Sequence, residues 1–400
     1  MKIEDIYMQL KRVVVATLMF SLASACIAGA SQTQGVVGKM VTLGAWAPET
    51  GPVSALYATN EGADAFFRWK NAHGGINGYQ FTMDLIDDQY NPALTPAAAR
   101  RLVEVDKAFA IVAGGGTGPA LSVLDYISSV GIPEIPAAGA LELTHPVHKN
   151  IFTVVPSYVN EGGYQADYAV NQLKAKAIAV LYQNDDIGKQ GLRGVTKGLA
   201  QHGLQPVVTV PFDLGTVNFA PFISRIMAAK ADTVIFWGST APFVPAVKGA
   251  EQLGFRPKWI TFGFDADQGV AGQLPMDQQE NVVYSTWMPA PADPGMQDFR
   301  DALNQYYPQV KQGLLSVQGW CLASVFATAF AEASAHGATP TWPNVIKALE
   351  STKHVSTTYV HDLSFSPTNH EAAPAEYMLK WVAGKITRLT PYQPIPILDR

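Results

Sequence analysis

From about residue 40 to residue 290 the apolar positions switch repeatedly between short continuous runs and a spacing of three to four. That switching predicts strands of a parallel sheet alternating with helices that cover both its faces. Val41, Leu43 and Ala45 suit a strand sealed on both faces, and Thr50-Gly51-Pro52 breaks it. The helix that follows, Ser54 to Ala72, carries Leu56, Ala63, Phe66, Phe67 and Trp69 on one side and stops at His73-Gly74-Gly75. A strand from Phe81 to Ile86 comes next. Helices are then expected over 96–107 and 119–130, with strands over 108–113, 132–136 and 151–155. A second series places helices over 162–173, 188–202, 220–229 and 242–253, and strands over 177–182, 206–210, 233–237 and 259–261. Later helices are expected over 296–307 and 317–335.

Four hundred residues exceed what one core usually serves, so the fold class is α/β with two doubly wound parallel-sheet lobes. A chain that is 48% hydrophobic and 15% charged can fill two such cores. Its net charge of −5 and scattered Lys and Arg leave no basic face for nucleic acid. At the N-terminus, Lys11-Arg12, the apolar run Val13 to Leu22 and the small residues after it have the layout of a secretory signal over residues 1–30. Two exits compete. Cleavage after Ala30 releases a soluble periplasmic protein, whereas cleavage before Cys26 leaves a lipid-anchored one; the first is preferred, because Ala23 stands where a lipobox has leucine. In either mature form Cys321 has no cysteine to pair with.

Candidate chemistry gathers where strands end. Gly114-Gly115-Gly116-Thr117-Gly118 joins a strand to a helix and offers backbone amides beside a positive helix end, which suits a carboxylate or a phosphate. The dinucleotide spacing G-x-G-x-x-G fails at Pro119, which disfavours a nucleotide-dependent enzyme. No nucleophile elbow or P-loop is present, and His370-Glu371-Ala372-Ala373-Pro374 lacks the second histidine of a zinc helix. Neither catalysis, a metal nor a cofactor is therefore expected. The aromatics Trp46, Tyr57, Tyr158, Trp237 and Phe264 all fall at or just beyond strand ends, where they would wall an apolar ligand.

Glu49-Thr50-Gly51-Pro52, Gly74-Gly75-Ile76-Asn77-Gly78 and Asp87-Asp88-Gln89-Tyr90-Asn91-Pro92 together resemble the opening of the type I periplasmic solute-binding proteins, specifically the branched-chain amino acid (Leu/Ile/Val) family. The resemblance implies a signal peptide, a first lobe of residues 31–156 and 288–361, a second of 157–287 and 362–400, and a three-segment hinge between them. It also implies a monomeric receptor that closes its lobes over a small organic solute, a hydrophobic or branched-chain amino acid or a related carboxylate, and hands it to an ABC permease. The ligand's carboxylate would meet Gly115, Gly116 and Thr117 and the loop Ala137, Ala138 and Gly139. Trp46 and Tyr57 would stack on its body, Tyr158 and Trp237 would add walls, and Asp265, with Asp267 as its neighbour, would hold an ammonium. Several positions depart from the family: Gly116 replaces a serine, Gly139 a threonine and Ile187 a tyrosine, and Asp265 is shorter than the usual glutamate. A receptor for aromatic acids or short amides is the alternative these departures raise.

Overall fold

The computed structural model describes residues 33–51, 53–372 and 375–398. The expected signal segment, Cys26 and Pro52 lie outside the described residues. Strand β2 (Met40–Ala47) is the centre of the first sheet, since its side chains are buried along most of its length. β3 (Gln80–Asp87) runs parallel to it on one side, Leu43 opposite Met83. On the other side come β4 (Ala110–Gly115) and then β5 (Glu134–Ala137), both parallel. The two-residue strand β1 (Val36–Val37) folds back antiparallel onto the start of β2. Helices α1 (Tyr57–Ala72), α2 (Thr95–Arg100) and α3 (Thr117–Val130) link these strands.

The second sheet repeats the plan. Its strands β6 (Ile178–Gln183), β7 (Val208–Phe212), β8 (Thr233–Trp237), β9 (Lys258–Phe262) and β10 (Val282–Thr286) are parallel, and they lie in the order β10-β9-β8-β6-β7. Between them run α4 (Tyr158–Asn171), α5 (Asp186–Gln201), α6 (Ala220–Ala228) and α7 (Thr240–Gln252). The C-terminal segment departs from the parallel pattern. It forms an antiparallel hairpin, β11 (Tyr377–Val382) and β12 (Lys385–Arg388), added beside β10.

After β10 the chain goes back to the first sheet as α8 (Gln297–Tyr306), α9 (Leu314–Ala333) and α10 (Trp342–Ser351). Helix α9 is apolar and long enough to cross a membrane, yet it is a core helix, almost wholly buried in the protein. It lies unusually close to α1. A Cβ on Gly319 would stand 1.7 Å from the Thr59 carbonyl oxygen, and one on Gly62 would stand 2.0 Å from that of Ser316. The bare backbones bring the aromatic edges into register, so Phe66 meets Trp320 at 5.0 Å between ring centres and Phe81 meets Phe330 at 5.0 Å.

Residues 151–155 do not form the expected strand. Ile151 bridges to Glu134 and Thr153 to Glu371, one residue each, because this stretch leaves one sheet for the other. Here two chain passages are bound together: the Thr153 amide donates to the His370 carbonyl and the Ala372 amide to the Thr153 carbonyl, both at 2.9 Å. The buried Glu371 carboxylate then accepts from the Ser157 amide (2.9 Å) and from Asn160 Nδ2 (3.1 Å), tying the start of α4 to the returning chain.

Two expectations follow. Gly319→Ala forces a methyl into a backbone carbonyl, and urea unfolding should show a loss of about 3 kcal/mol or more; an unchanged midpoint would mean that the helices are not in this contact. Burial pushes the Glu134 carboxyl up to about 8 and Glu161 up to about 7. Because the fold holds these groups protonated, their contribution is complete below the ordinary value of about 4.5 and is lost as pH climbs towards 8. Stability should therefore fall by up to about 1.4 kcal/mol per pH unit for each group across that window, and Glu134→Gln should flatten the slope.

Candidate functional site

The carboxyl ends of both sheets face one cleft with two chambers. The inner chamber, about 40 Å³, is bounded on the first-sheet side by Leu56, Thr59, Tyr90, Gly115, Gly116, Thr117, Ala137 and Gln318. Tyr158, Ile187, Ser239, Thr240, Phe262 and Phe264 close it from the other side. A space of that size holds a water or two, so a solute as large as an amino acid requires the walls to part. The outer chamber, about 540 Å³, is lined by Tyr57, Ala58 and Glu61 on α1, by Thr240 and Val244 on α7, and by Asp267, Gln273 and Lys311.

The floor of the inner chamber is the turn from β4 into α3. Gly116 sits at φ 93, a backbone state that suits glycine, and the helix starts at Thr117. Tyr90 lies over this turn: a Cβ on Gly116 would come within 2.6 Å of its ring, and its hydroxyl accepts the Thr117 amide. The Thr117 hydroxyl is 3.1 Å from the Tyr158 hydroxyl, joining the two sides. On the opposite side Gln183 Oε1 accepts both the Ser239 amide (3.1 Å) and its hydroxyl (2.8 Å), which fixes the turn from β8 into α7.

Of the residues expected at a site, Gly115, Gly116, Thr117, Ala137 and Tyr158 meet in the inner chamber, and Tyr57 lines the outer one. Phe264 lines the inner chamber as well. The others stand elsewhere. Trp46 is fully buried on the far face of the first sheet, packed with Ala98, Leu102 and Val123, because the period of two along β2 turns it away from the cleft. Trp237 lies beneath the chamber wall, 5.6 Å from Tyr158 and 5.4 Å from Phe262 between ring centres, and supports both. Ala138 is buried, and the Gly139 carbonyl is spent on the Tyr158 amide at 2.9 Å.

Asp265, expected to hold an ammonium, lines neither chamber. The turn of 3₁₀ helix at Gly263–Ala266 points it into the second core, where it is fully buried and accepts from the Thr261 hydroxyl at 2.5 Å. Burial drives its pKa well up, with the Thr261 bond opposing. Its neighbour Asp267 is the residue that reaches the cleft, and there it joins the two sides. Its Oδ1 accepts the Gly269 amide at 2.8 Å, and the amides of Leu314 and Leu315 reach the same carboxylate from the start of α9. A Cβ on Gly313 would fall 1.6 Å from its Oδ2, so glycine there is what admits the carboxylate.

On the outer wall Glu61 is pushed up to about 7, by burial first and by the charge of Glu49 second. Tyr57 beside it is pushed up to about 12 by burial and by the same acids. Asp185 caps α5 by accepting the Gly188 amide at 3.3 Å, as its position before the helix suggests. Tyr90 and Gln318 escaped the reading of the sequence as site residues. Tyr90 did carry a signal, since it lies in the loop after β3 at the same sheet edge. For Gln318 the signal is a lone amide in the apolar run Leu314 to Ala323.

The periplasmic binding protein family model matches residues 40–385. An amino acid binding protein of Pseudomonas aeruginosa is 31% identical over 236 residues, 58% of this chain and 61% of that protein. Leu/Ile/Val-binding protein homolog 3 of Brucella melitensis is 25% identical over 87% of this chain and 93% of its own length. Among solved structures, a branched-chain amino acid ABC transporter protein from Thermus thermophilus with bound valine superposes at a TM-score of 0.80, with 22% identity, 91% of this chain and 98% of that one. A solute-binding protein of an ABC transporter from Rhodopseudomonas palustris in complex with 3,4-dihydroxybenzoic acid gives a TM-score of 0.76 at 20% identity, covering 90% of this chain and 98% of its own. These likenesses show the fold.

Asp267→Ala should cost about 1 kcal/mol of stability, the worth of a helix-capping carboxylate. It should also speed hydrogen exchange at the Leu314 and Leu315 amides; unchanged exchange there would exclude the bridge.

Proposed function

We propose that this solute-binding protein, which belongs to the periplasmic binding protein family, is the extracytoplasmic receptor of an ABC importer and takes up a small organic acid with an apolar body. The observation that carries this reading is the inner chamber itself. An amide- and hydroxyl-bearing floor at Gly115, Gly116 and Thr117 faces an apolar wall of Ile187, Phe262 and Phe264 contributed by the other sheet. A carboxylate would take the donors at the start of α3, displacing the Tyr90 hydroxyl from the Thr117 amide, and Leu56 and the facing aromatics would shed water around the rest of the molecule.

Binding on this account is lobe closure with no covalent step. The first lobe comprises residues 31–156 and 288–361 and the second 157–287 and 362–400; the chain passes between them at three places. Short passages of this kind let each core move as a body while the wall separation changes. Residues 1–30 direct export, the mature protein works in the periplasm as a monomer, and the closed form is what the membrane permease recognises. The aromatic lining of Tyr90, Tyr158, Phe262 and Phe264 favours a second reading of the ligand, an aromatic acid, within the same function.

A thermal-shift screen of the purified protein against aliphatic and aromatic carboxylic acids, amino acids, short amides and nucleotides tests the reading. An organic acid at a hundredfold excess over its Kd should add about 2.7 kcal/mol, and Thr117→Val should weaken it about tenfold by removing one hydroxyl. Stabilisation by nucleotides alone would overturn the assignment.

A further inference from the structure

The inner chamber carries no charged side chain among the residues that line it. Three acids of the second half lie in the loops and helix starts at this edge of its sheet, outside the chamber lining, and each is already committed. Asp265 is sealed in the core against the Thr261 hydroxyl. Asp267 is held by the Gly269 amide and the start of α9. Asp185 takes the Gly188 amide and the Gln183 side chain. Glu61 faces the other, outer chamber. An ammonium brought into the inner chamber would thus lose its water with no anion to meet it, a cost of several kcal/mol.

The chamber does offer one neutral polar group that has an unmet bond. Gln318, on the first full turn of α9, is 3% exposed and lines the cavity. Its Oε1 accepts from the Thr59 hydroxyl at 3.4 Å, and its Nε2 has no partner among the described residues. With Oε1 spent on Thr59, Nε2 is left as an unpartnered donor on a residue of the chamber wall. A buried amide N–H left so is stabilised by a ligand carbonyl or hydroxyl oxygen and makes no bond to an ammonium, which offers no acceptor.

We propose that the site selects organic acids that lack an ammonium group, and that Gln318 is the specificity-determining residue that reads a neutral carbonyl or hydroxyl on the ligand. This rests on the organic-acid receptor reading above and narrows its ligand class. The carboxylate goes to the floor at Gly116 and Thr117, the neutral polar group to Gln318, and the apolar body to Ile187, Phe262 and Phe264.

The test is calorimetric titration of the purified protein with ligands matched in shape. One series is leucine, 4-methyl-2-oxopentanoate, 2-hydroxy-4-methylpentanoate and 4-methylpentanoate; the other is phenylalanine, phenylpyruvate, phenyllactate and 3-phenylpropanoate. In the series that fits, the oxo or hydroxy acid should bind about 100-fold or more tightly than the amino acid. Gln318→Leu should weaken that acid about tenfold and leave the unsubstituted acid unchanged. Gln318→Glu, which supplies the missing anion, should narrow the gap between acid and amino acid at least tenfold. Amino acids that bind the native protein as tightly as their acids would overturn the proposal while the receptor reading stands, and so would a Gln318→Leu variant that weakens substituted and unsubstituted acids equally. If no carboxylate of either series binds, the organic-acid reading fails and takes the proposal with it.

Discussion

The approach of α9 to α1 is the constraint on which the cleft depends. Gly319 against the Thr59 carbonyl, and Gly62 against that of Ser316, let two helices from distant parts of the chain pack backbone to backbone. With side chains at either position α9 would stand further out. Three features would move with it: Gln318 would leave the inner chamber, Gly313 would no longer admit Asp267, and the edge-to-face contact of Phe66 with Trp320 would open. The segment after β10 thereby becomes part of the cover of the first sheet, although the second sheet separates it in sequence from the strands it covers.

A second constraint is the cost of buried charge. Glu371 is ionisable and buried, and it earns its place by accepting two hydrogen bonds across the passage between sheets. Asp267 does the same across the cleft. Burial raises the pKa values of Asp265, Glu134 and Glu161, and that of Asp267 too, where the backbone amides of Gly269, Leu314 and Leu315 oppose the shift. The distinction matters for function. Carboxylates that join segments are satisfied by backbone amides, those within the cores favour their neutral form, and the inner chamber is left with hydroxyls, amides and rings.

Much of the architecture was legible in the sequence because strand and helix periods differ and because glycines mark the turns at strand ends. The floor at Gly115 to Thr117 could be read for the same reason: a glycine run between a strand and a helix leaves donors bare. What could not be read was the direction of single side chains at strand ends. One step of the pleat turns Trp46 to the far face, and one turn of 3₁₀ helix buries Asp265 while presenting Asp267. Gln318 depends on a packing of distant helices that no local pattern announces. Residues 151–155 read as a strand since they are apolar and β-branched, but their backbone bonds are divided between two sheets.

The central claim is that the two halves part and close over a small organic acid. Spin labels at Val105→Cys on the first half and Val207→Cys on the second, both exposed in the native protein, would report the separation directly by pulsed electron resonance. The account predicts a broad or long distance distribution without ligand that becomes shorter and narrower with a saturating acid. A bound acid that leaves the distribution unchanged would contradict it.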